Sequence, residues 1–278
     1  MKYISYILLA LFSTVLFSAC DDEAPVEYEE QIVVDGFLWI GHRLEISLTK
    51  TVPFGTAYYE DSVKIGGAQV FITVDGDTLE LTEAISGIEG TYAAPDSVHT
   101  VATGKRYDLL VAKDGDTLRA HTTAVAPLTI TQSVLMNTNG DVTDSAPDTL
   151  EYGGDALHLK WTTDPVNFGY AILIESLEEG KYGEDCDFGD DNGPGTYLFV
   201  WSTRYIEEMD LPWLSLCYSG PTQIRVFSCD SSWWNFVSTI LTGEIRNDPV
   251  SNIEGGRGVF CAVGVDTFQI AVTDSIED

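Results

Sequence analysis

The sequence predicts an all-β protein: two β-sandwich domains on a lipidated N-terminal tether, the first immunoglobulin-like and the second with one short helix. From residue 31 onward, short runs alternate apolar and polar residues, as half-buried strands do. Gly, Asp and Pro separate these runs, and the pairs Asp75-Gly76 and Asp114-Gly115 are strong hairpin-turn signals. One segment, 233–241, has the length and the flanking residues of a helix.

Residues 1–19 predict a lipoprotein signal peptide. Lys2 gives a basic start, and residues 4–17 are almost entirely apolar and carry no charge. This run is shorter than the roughly 20 residues that cross a bilayer. The small residues Ser18 and Ala19 precede Cys20, as in a bacterial lipobox, so we expect cleavage before Cys20 and fatty acylation of it, for example with palmitate. Ordinary secretion, with Cys20 as a structural thiol, is the alternative.

An acidic tether, residues 20–29, is predicted to join this anchor to the folded body. Asp21, Asp22 and Glu23 follow the cysteine directly. An acidic triplet at this place resembles the surface-export signal of lipoproteins from Bacteroidetes. The resemblance implies a protein that is lipid-anchored in the outer membrane and faces the cell exterior.

Two β-sandwich domains are predicted, at 30–126 and 127–278, with a hinge at 124–128 that contains Pro127. The first domain is predicted to contain strands at 31–39, 43–49, 68–74, 78–81, 90–93, 106–112 and 116–123. The second is predicted to contain strands at 129–135, 157–161, 170–175, 197–203, 224–228, 260–265 and 268–272. A Ser or Asp N-cap at 230–232 and Gly243 after the last turn delimit the predicted helix.

The composition excludes one class of partner. Asp and Glu number 44 against 14 Lys and Arg, a formal net charge of −30, and such a surface repels a phosphate backbone. We therefore expect no nucleic acid among the partners. The apolar fraction of 44% is sufficient to build a core, and the four histidines leave little material for imidazole chemistry.

The remaining four cysteines, Cys186, Cys217, Cys229 and Cys261, predict two disulfides in an exported protein. Four cysteines allow three connectivities, and we favour 186–217 with 229–261. A zinc site is the less favoured alternative, because the region has no C-x-x-C spacing and no histidine.

The acidic segment 184–193 is the one candidate for a metal site. Asp185, Asp187, Asp190 and Asp191 offer oxygen ligands of the kind that Ca²⁺ prefers. The spacing departs from that of an EF-hand, so a solvated loop is the favoured interpretation and calcium the weaker one. The glycine-rich segment 251–258 lacks the Lys of a phosphate-binding loop, and we interpret its glycines as structural.

Aromatic residues of the second half are candidates for binding a ligand or partner. Trp233 and Trp234 are adjacent on the predicted helix and point about 100° apart, so we expect one of them to face solvent or a partner. Trp213 and Tyr218 are the further candidates, with packing in the core as the alternative for each.

Five segments together resemble the domain-of-unknown-function 4249 family of Bacteroidetes outer-membrane lipoproteins. The resemblance spans residues 20–272, and its segments are 31–36, 67–70, 104–109, 121–123 and, most specifically, 250–260. It implies a companion of a TonB-dependent outer-membrane receptor. It brings no catalytic motif and no cofactor.

The expected function is therefore non-enzymatic: a surface lipoprotein that assists a TonB-dependent transporter in nutrient capture, with a small ligand of unknown identity. The alternatives are an adhesin or structural envelope protein, and a glycan or peptide hydrolase whose acidic site is hidden among the many carboxylates.

Overall fold

The computed structural model describes residues 28–53, 55–95, 99–151, 153–177, 198–203, 206–212, 219–241 and 250–273. The described residues form an all-β fold of sandwich type, as the alternating pattern predicts. Three sheets build it: one long sheet, which we call the central sheet, and two four-stranded sheets.

The central sheet runs through the whole molecule. In spatial order its strands are β13 (Leu198–Thr203), β12 (Gly169–Ser176), β15 (Gly220–Cys229), β16 (Arg257–Thr273), β1 (Ile32–Trp39), β2 (Glu45–Lys50) and β5 (Thr91–Ala93). Strand β10 (Thr149–Glu151) pairs with the end of β16.

The two smaller sheets are antiparallel. The N-terminal sheet has the order β4 (Asp77–Leu81), β3 (Gln69–Val74), β6 (Arg106–Lys113) and β7 (Asp116–Thr123). The C-terminal sheet has the order β14 (Glu208–Leu211), β11 (Ala156–Trp161), β8 (Ile130–Met136) and β9 (Val142–Asp144). Both predicted Asp-Gly hairpins are present, with positive φ at Asp75 and Asp114 and at the glycine after each.

Two separate cores result, one in each half of the described molecule. The first lies between β1, β2 and the N-terminal sheet, and the second between β12, β15 and the C-terminal sheet. The first is centred on buried residues such as Leu48, Ile72 and Leu118, and the second on Leu157, Leu159 and Ile224. Strand alternation explains this division, because every second side chain of a strand faces its core.

Strand β16 belongs to both halves. Its first part, to Val263, pairs in parallel with β1, and Phe260 and Ala262 lie in the first core. From Val263 onward it pairs antiparallel with β15, and Ile270 and Val272 lie in the second core. The sequence predicts two strands at this place, but the structure has one continuous strand of 17 residues. The chain beyond the predicted 126/127 boundary thus builds the second core and also contributes Ile253, Phe260 and Ala262 to the first.

The segment 124–128, predicted as a hinge, is a packed seam. Ala124, Val125, Ala126 and Leu128 are buried. The Ala126 N–H donates to Asn167 Oδ1 at 2.9 Å, and Ser228 Oγ donates to the Ala126 carbonyl at 2.7 Å. A solvent-exposed linker would leave these backbone groups to water, whereas here they are hydrogen-bonded within the protein.

Three helices are described. Two have four residues each and are not predicted: α1 (Glu60–Val63) and α2 (Glu83–Ser86). The third, α3 (Ser231–Leu241), confirms the predicted helix and packs against β16. Gly243, its predicted end, lies outside the described residues.

Candidate functional site

Most of the predicted site residues lie outside the described residues: Cys20, Asp185, Cys186, Asp187, Asp190, Asp191, Trp213, Cys217 and Tyr218. Their roles remain predictions. The structure places four predicted residues, Cys229, Cys261, Trp233 and Trp234, and all four lie at the junction of α3 with the central sheet.

The two described cysteines are buried thiols, and the predicted bond between them is not formed in the structure. Cys229 pairs with Val263 across β15 and β16, so Cys261, two residues away on β16, is its diagonal neighbour. Diagonal residues are about 7–8 Å apart at Cα, which exceeds the usual span of a disulfide. Burial, reinforced by the nearby Asp230 and Asp35 charges, raises the pKa of the Cys261 thiol.

The two tryptophans of α3 are both half-buried. The Trp234 ring lies 6.3 Å from that of Phe168 in an edge-on contact, so it holds the helix to the chain before β12. The Trp233 backbone N–H donates to Asp230. A role of either ring in binding remains a prediction.

Asp230 fixes the start of α3. Its carboxylate accepts from the Trp233 N–H at 2.8 Å, from the Ala262 N–H at 3.2 Å and from the Thr122 hydroxyl. The residue is buried, and this desolvation raises the pKa of its carboxyl above the ordinary value, although the hydrogen bonds oppose the shift. One side chain thus joins the helix to β16 and to β7.

A cleft lies on the face of β1 and β2 that is opposite the first core, beside α3; we call it the β1–β2 cleft. Its volume is about 660 Å³. Its floor contains Val33, Asp35 and Phe37 of β1 with Glu45, Ser47 and Thr49 of β2. These residues alternate with the core-facing Val34, Leu38, Ile46 and Leu48, so the period of the strands places them on the outer face.

Three further segments wall the cleft. Tyr58, Glu60 and Lys64 come from α1 and the chain around it, and residues 88–91 come from the loop that leads into β5. Phe236 of α3 closes the side next to β16. Tyr58 and Ile88 have 61% and 54% of their surface exposed, which is unusual for large apolar side chains grouped at one opening.

The cleft is acidic. Asp35, Glu45, Glu60 and Glu89 line it together with a single Lys64. The Lys64 ammonium lies 2.8 Å from Asp61 Oδ1 and 3.8 Å from Glu60 Oε1, and Arg43 pairs with Glu45 at 2.6 Å. Glu89 also interacts with Lys64, so Asp35 is the lining carboxylate that no cation among the described residues engages.

Asp35 is the distinctive residue of the floor. Asp35 is exposed to the cleft. The surrounding protein nevertheless removes part of the water around its carboxyl group and thereby raises the pKa of that group. Val33 and Phe37 flank it along β1, and Ser47 and Val259 lie opposite it on the neighbouring strands. Within the described part of the chain, no hydrogen bond or ion pair engages this carboxylate. A perturbed carboxyl in a cleft is a mark of functional sites.

The first described residues, 28–31, lie next to this cleft. Gln31 N–H donates to Thr51 Oγ1 at 3.0 Å, and Lys50 pairs with Glu30 at 3.0 Å. Glu30 and Lys50 line a smaller neighbouring groove, and Lys64 lines both that groove and the β1–β2 cleft. Residues 28–31 and the cleft therefore share one side of the described structure.

The sequence pattern alone does not identify the residues that line the cleft. The available signal is Asp35 itself, a single carboxylate within the apolar run 32–39 of a predicted strand. Phe236 and Tyr58 have no comparable signal, because only the tertiary fold brings a helix and a distant loop to the same strands.

The described residues offer neither a membrane-spanning helix nor a metal site. No helix among them is long and apolar enough to cross a bilayer. No group of three or more His, Cys, Asp or Glu side chains among them is placed to hold a metal ion. In comparisons with known proteins, no family model and no curated protein sequence matches the chain.

Proposed function

We propose that the protein is a lipid-anchored lipoprotein on the outer face of the outer membrane. It binds a small ligand in the β1–β2 cleft and assists a TonB-dependent transporter in taking it up, without catalysing a reaction. The placement rests on the N-terminal sequence and on the resemblance to the outer-membrane lipoprotein family. The capture function rests on the cleft.

The cleft is the single observation that carries the proposal. Its volume of about 660 Å³ lies within the 300–1,000 Å³ that is typical of small-molecule sites. Its floor consists of two paired strands whose other face is a closed core, so the site is built on rigid elements. Its lining combines apolar side chains with a few polar groups, as in ligand sites generally.

The position of the cleft favours transfer to a membrane partner over a spacer role. Tyr28 already contacts Thr51 of the folded body, so only the residues between it and Cys20 separate the body from the anchor. Even fully extended, the eight Cα–Cα steps from Cys20 to Tyr28 span at most about 30 Å. A ligand in a cleft beside the tether is thereby kept close to the bilayer, where a transporter lies.

Purification of the tagged lipoprotein from membranes solubilised in mild detergent tests this proposal. We expect the wild-type protein to carry fatty acid on Cys20 and to bring a TonB-dependent receptor with it. We expect Cys20→Ser to be released in soluble form without the receptor, because it has no site for the anchor. Cys229→Ala is the matched control and keeps both the anchor and the receptor.

Two results would contradict the proposal. One is a wild-type polypeptide that mass spectrometry shows to be unmodified and freely released. The other is wild-type lipoprotein that is anchored but recovered alone under gentle conditions. Adhesion to surfaces by such a protein would support the adhesin, and turnover of a glycan or peptide would support the hydrolase.

A further inference from the structure

We propose that the β1–β2 cleft binds an organic cation that carries an apolar group, such as a short peptide with basic and aromatic side chains, and that Asp35 is its counter-ion. This inference rests on the proposed capture function and specifies the ligand of that site. It follows from the charge of the floor, the apolar rim and the shape of the cleft.

The negative charge of the cleft lining favours a cationic ligand. Among the described residues, the carboxylates that line the cleft outnumber the single ammonium group of Lys64, which Asp61 already engages at 2.8 Å. Asp35 is exposed on the floor of the cleft, where the neighbouring walls replace part of its hydration, so it attracts a positive group more strongly than a carboxylate in open water does. An anionic ligand would meet Asp35 on the floor, and the one cationic group among the described lining residues, Lys64, is already surrounded by Asp61, Glu60 and Glu89.

The apolar side chains at the rim favour a ligand that carries an apolar group. Tyr58 and Ile88 are more than half exposed at the opening, and Phe37 and Phe236 lie half-buried within it. Aromatic faces bind ammonium and guanidinium groups as well as hydrocarbon, so they suit a ligand that has both. A bare metal ion would leave these apolar surfaces uncovered.

The arrangement of the acids also favours an extended organic ligand. Asp35 lies on β1, Glu60 on α1 and Glu89 in the loop before β5, so the charges are distributed around the cleft. In the described part of the chain they form no group that could close around one metal ion. A ligand with two basic groups can meet two of these carboxylates at once, with its apolar part between them.

Titration calorimetry on the mature lipoprotein in a neutral detergent tests this inference. The probes are three acetylated tripeptide amides, Lys-Phe-Lys, Gln-Phe-Gln and Glu-Phe-Glu. We expect the basic peptide to bind at least about tenfold more tightly than the neutral one, and the acidic one not to bind. We expect added salt to weaken the binding of the basic peptide, because its charges are partly exposed to solvent.

Variants assign the binding to the cleft. We expect Asp35→Asn to weaken binding of the basic peptide about tenfold and to leave the neutral peptide unchanged. We expect Phe236→Leu, which preserves the apolar character of α3, to weaken both peptides by a few fold. Asp77→Asn removes an exposed carboxylate of the β3–β4 hairpin, outside the cleft, and serves as the matched control with unchanged affinity.

Equal binding of the three peptides, no binding of the basic peptide, or an Asp35→Asn variant with wild-type affinity would overturn the inference. Failure here is distinct from failure of the proposed function. If the receptor still co-purifies while no basic peptide binds, the ligand class is wrong and the capture function remains. If the basic peptide binds but no receptor co-purifies, the transport partnership fails and the ligand class remains.

Discussion

At the scale of single residues, Asp230 shows how a buried carboxylate can organise three elements. It follows β15, caps α3 through the Trp233 N–H, and accepts further hydrogen bonds from Ala262 of β16 and Thr122 of β7. An N-cap satisfies backbone donors that the first helical turn leaves open. Here the same side chain also serves donors outside the helix, so the position of α3, and with it that of Phe236, depends on it.

We expect Asp230→Ala to lower the free energy of unfolding by about 3 kcal/mol, because the cap is lost and buried donors are left without acceptors. Urea unfolding measures this change. Thr122→Val, which removes a single hydrogen bond to Asp230, is the control and costs about 1 kcal/mol. Equal stability of Asp230→Ala and the wild type would show that the network contributes nothing.

The pH dependence of that loss follows from the raised pKa of Asp230. A carboxyl whose pKa is higher in the folded than in the unfolded state stabilises the fold most when it is protonated. Its contribution therefore declines as the pH rises from 3.8, the ordinary pKa of an aspartate, through the folded-state pKa. The difference between wild type and Asp230→Ala is accordingly larger at about pH 3.5 than at about pH 7.

Residues of the candidate site differ in whether the neighbouring sequence is sufficient to predict their role. The cap of α3 is predicted from the chain around residues 230–232, because an N-cap interaction spans only a few positions. The cleft is not, since Asp35, Tyr58 and Phe236 meet only in the folded protein. The disposition of Cys229 and Cys261 likewise depends on the register of β15 against β16, which cysteine spacing does not contain.

At the scale of elements, the parallel pairing of β1 with β16 requires a close approach at Gly258. The residue has φ of +100°, and a Cβ there would lie 2.0 Å from the Val34 carbonyl oxygen. The glycine of segment 251–258 that lies within β16 thus has a structural role, as the sequence predicts. It brings two backbones together at the start of the pair.

We expect Gly258→Ala to lower the free energy of unfolding by about 3 kcal/mol or more, because the added methyl group overlaps the β1 backbone. Thermal unfolding measures the loss. Gly140→Ala is the matched control, since Gly140 also has a positive φ, of +84°, but open space around its Cβ position. The control costs about 1 kcal/mol from backbone strain alone. Similar losses in the two variants would contradict a role for the close approach.

The elements themselves were largely predictable where the pattern is local. Strands β1, β3, β6 and β7 and helix α3 agree with the alternation, the turns and the cap. The short β9, β10 and β14 were not predicted, because three or four residues carry too little pattern. The break predicted near Asp266 is absent, since its carboxylate accepts the Ile130 N–H at 2.7 Å while the strand continues.

At the scale of the whole molecule, the central sheet couples the two cores. β16 contributes to both, and the seam at 124–128 is buried between them. Neither core can lose its strands without exposing part of the other. The two halves are therefore expected to unfold together although their cores are separate.

We expect a single unfolding transition by calorimetry, and we expect Leu118→Ala and Leu159→Ala to lower its midpoint alike. Each removes a fully buried side chain, the first from the first core and the second from the second, at a cost of about 2–5 kcal/mol. Leu177→Ala, at an exposed leucine outside both cores, is the control with little effect. Two transitions, of which each variant shifts only one, would contradict the coupling.

The large sequence separation between β1 and β16 also affects how the protein folds during its synthesis. Gln31 and Arg257, which contact each other in the finished protein, are separated by 226 positions along the chain. During synthesis β1 emerges long before its parallel neighbour, so the earlier half waits with an open edge until nearly the entire polypeptide has been made. A polypeptide whose sheet closes this late exposes an unpaired strand during its synthesis, so it depends on protection from aggregation until β16 is in place.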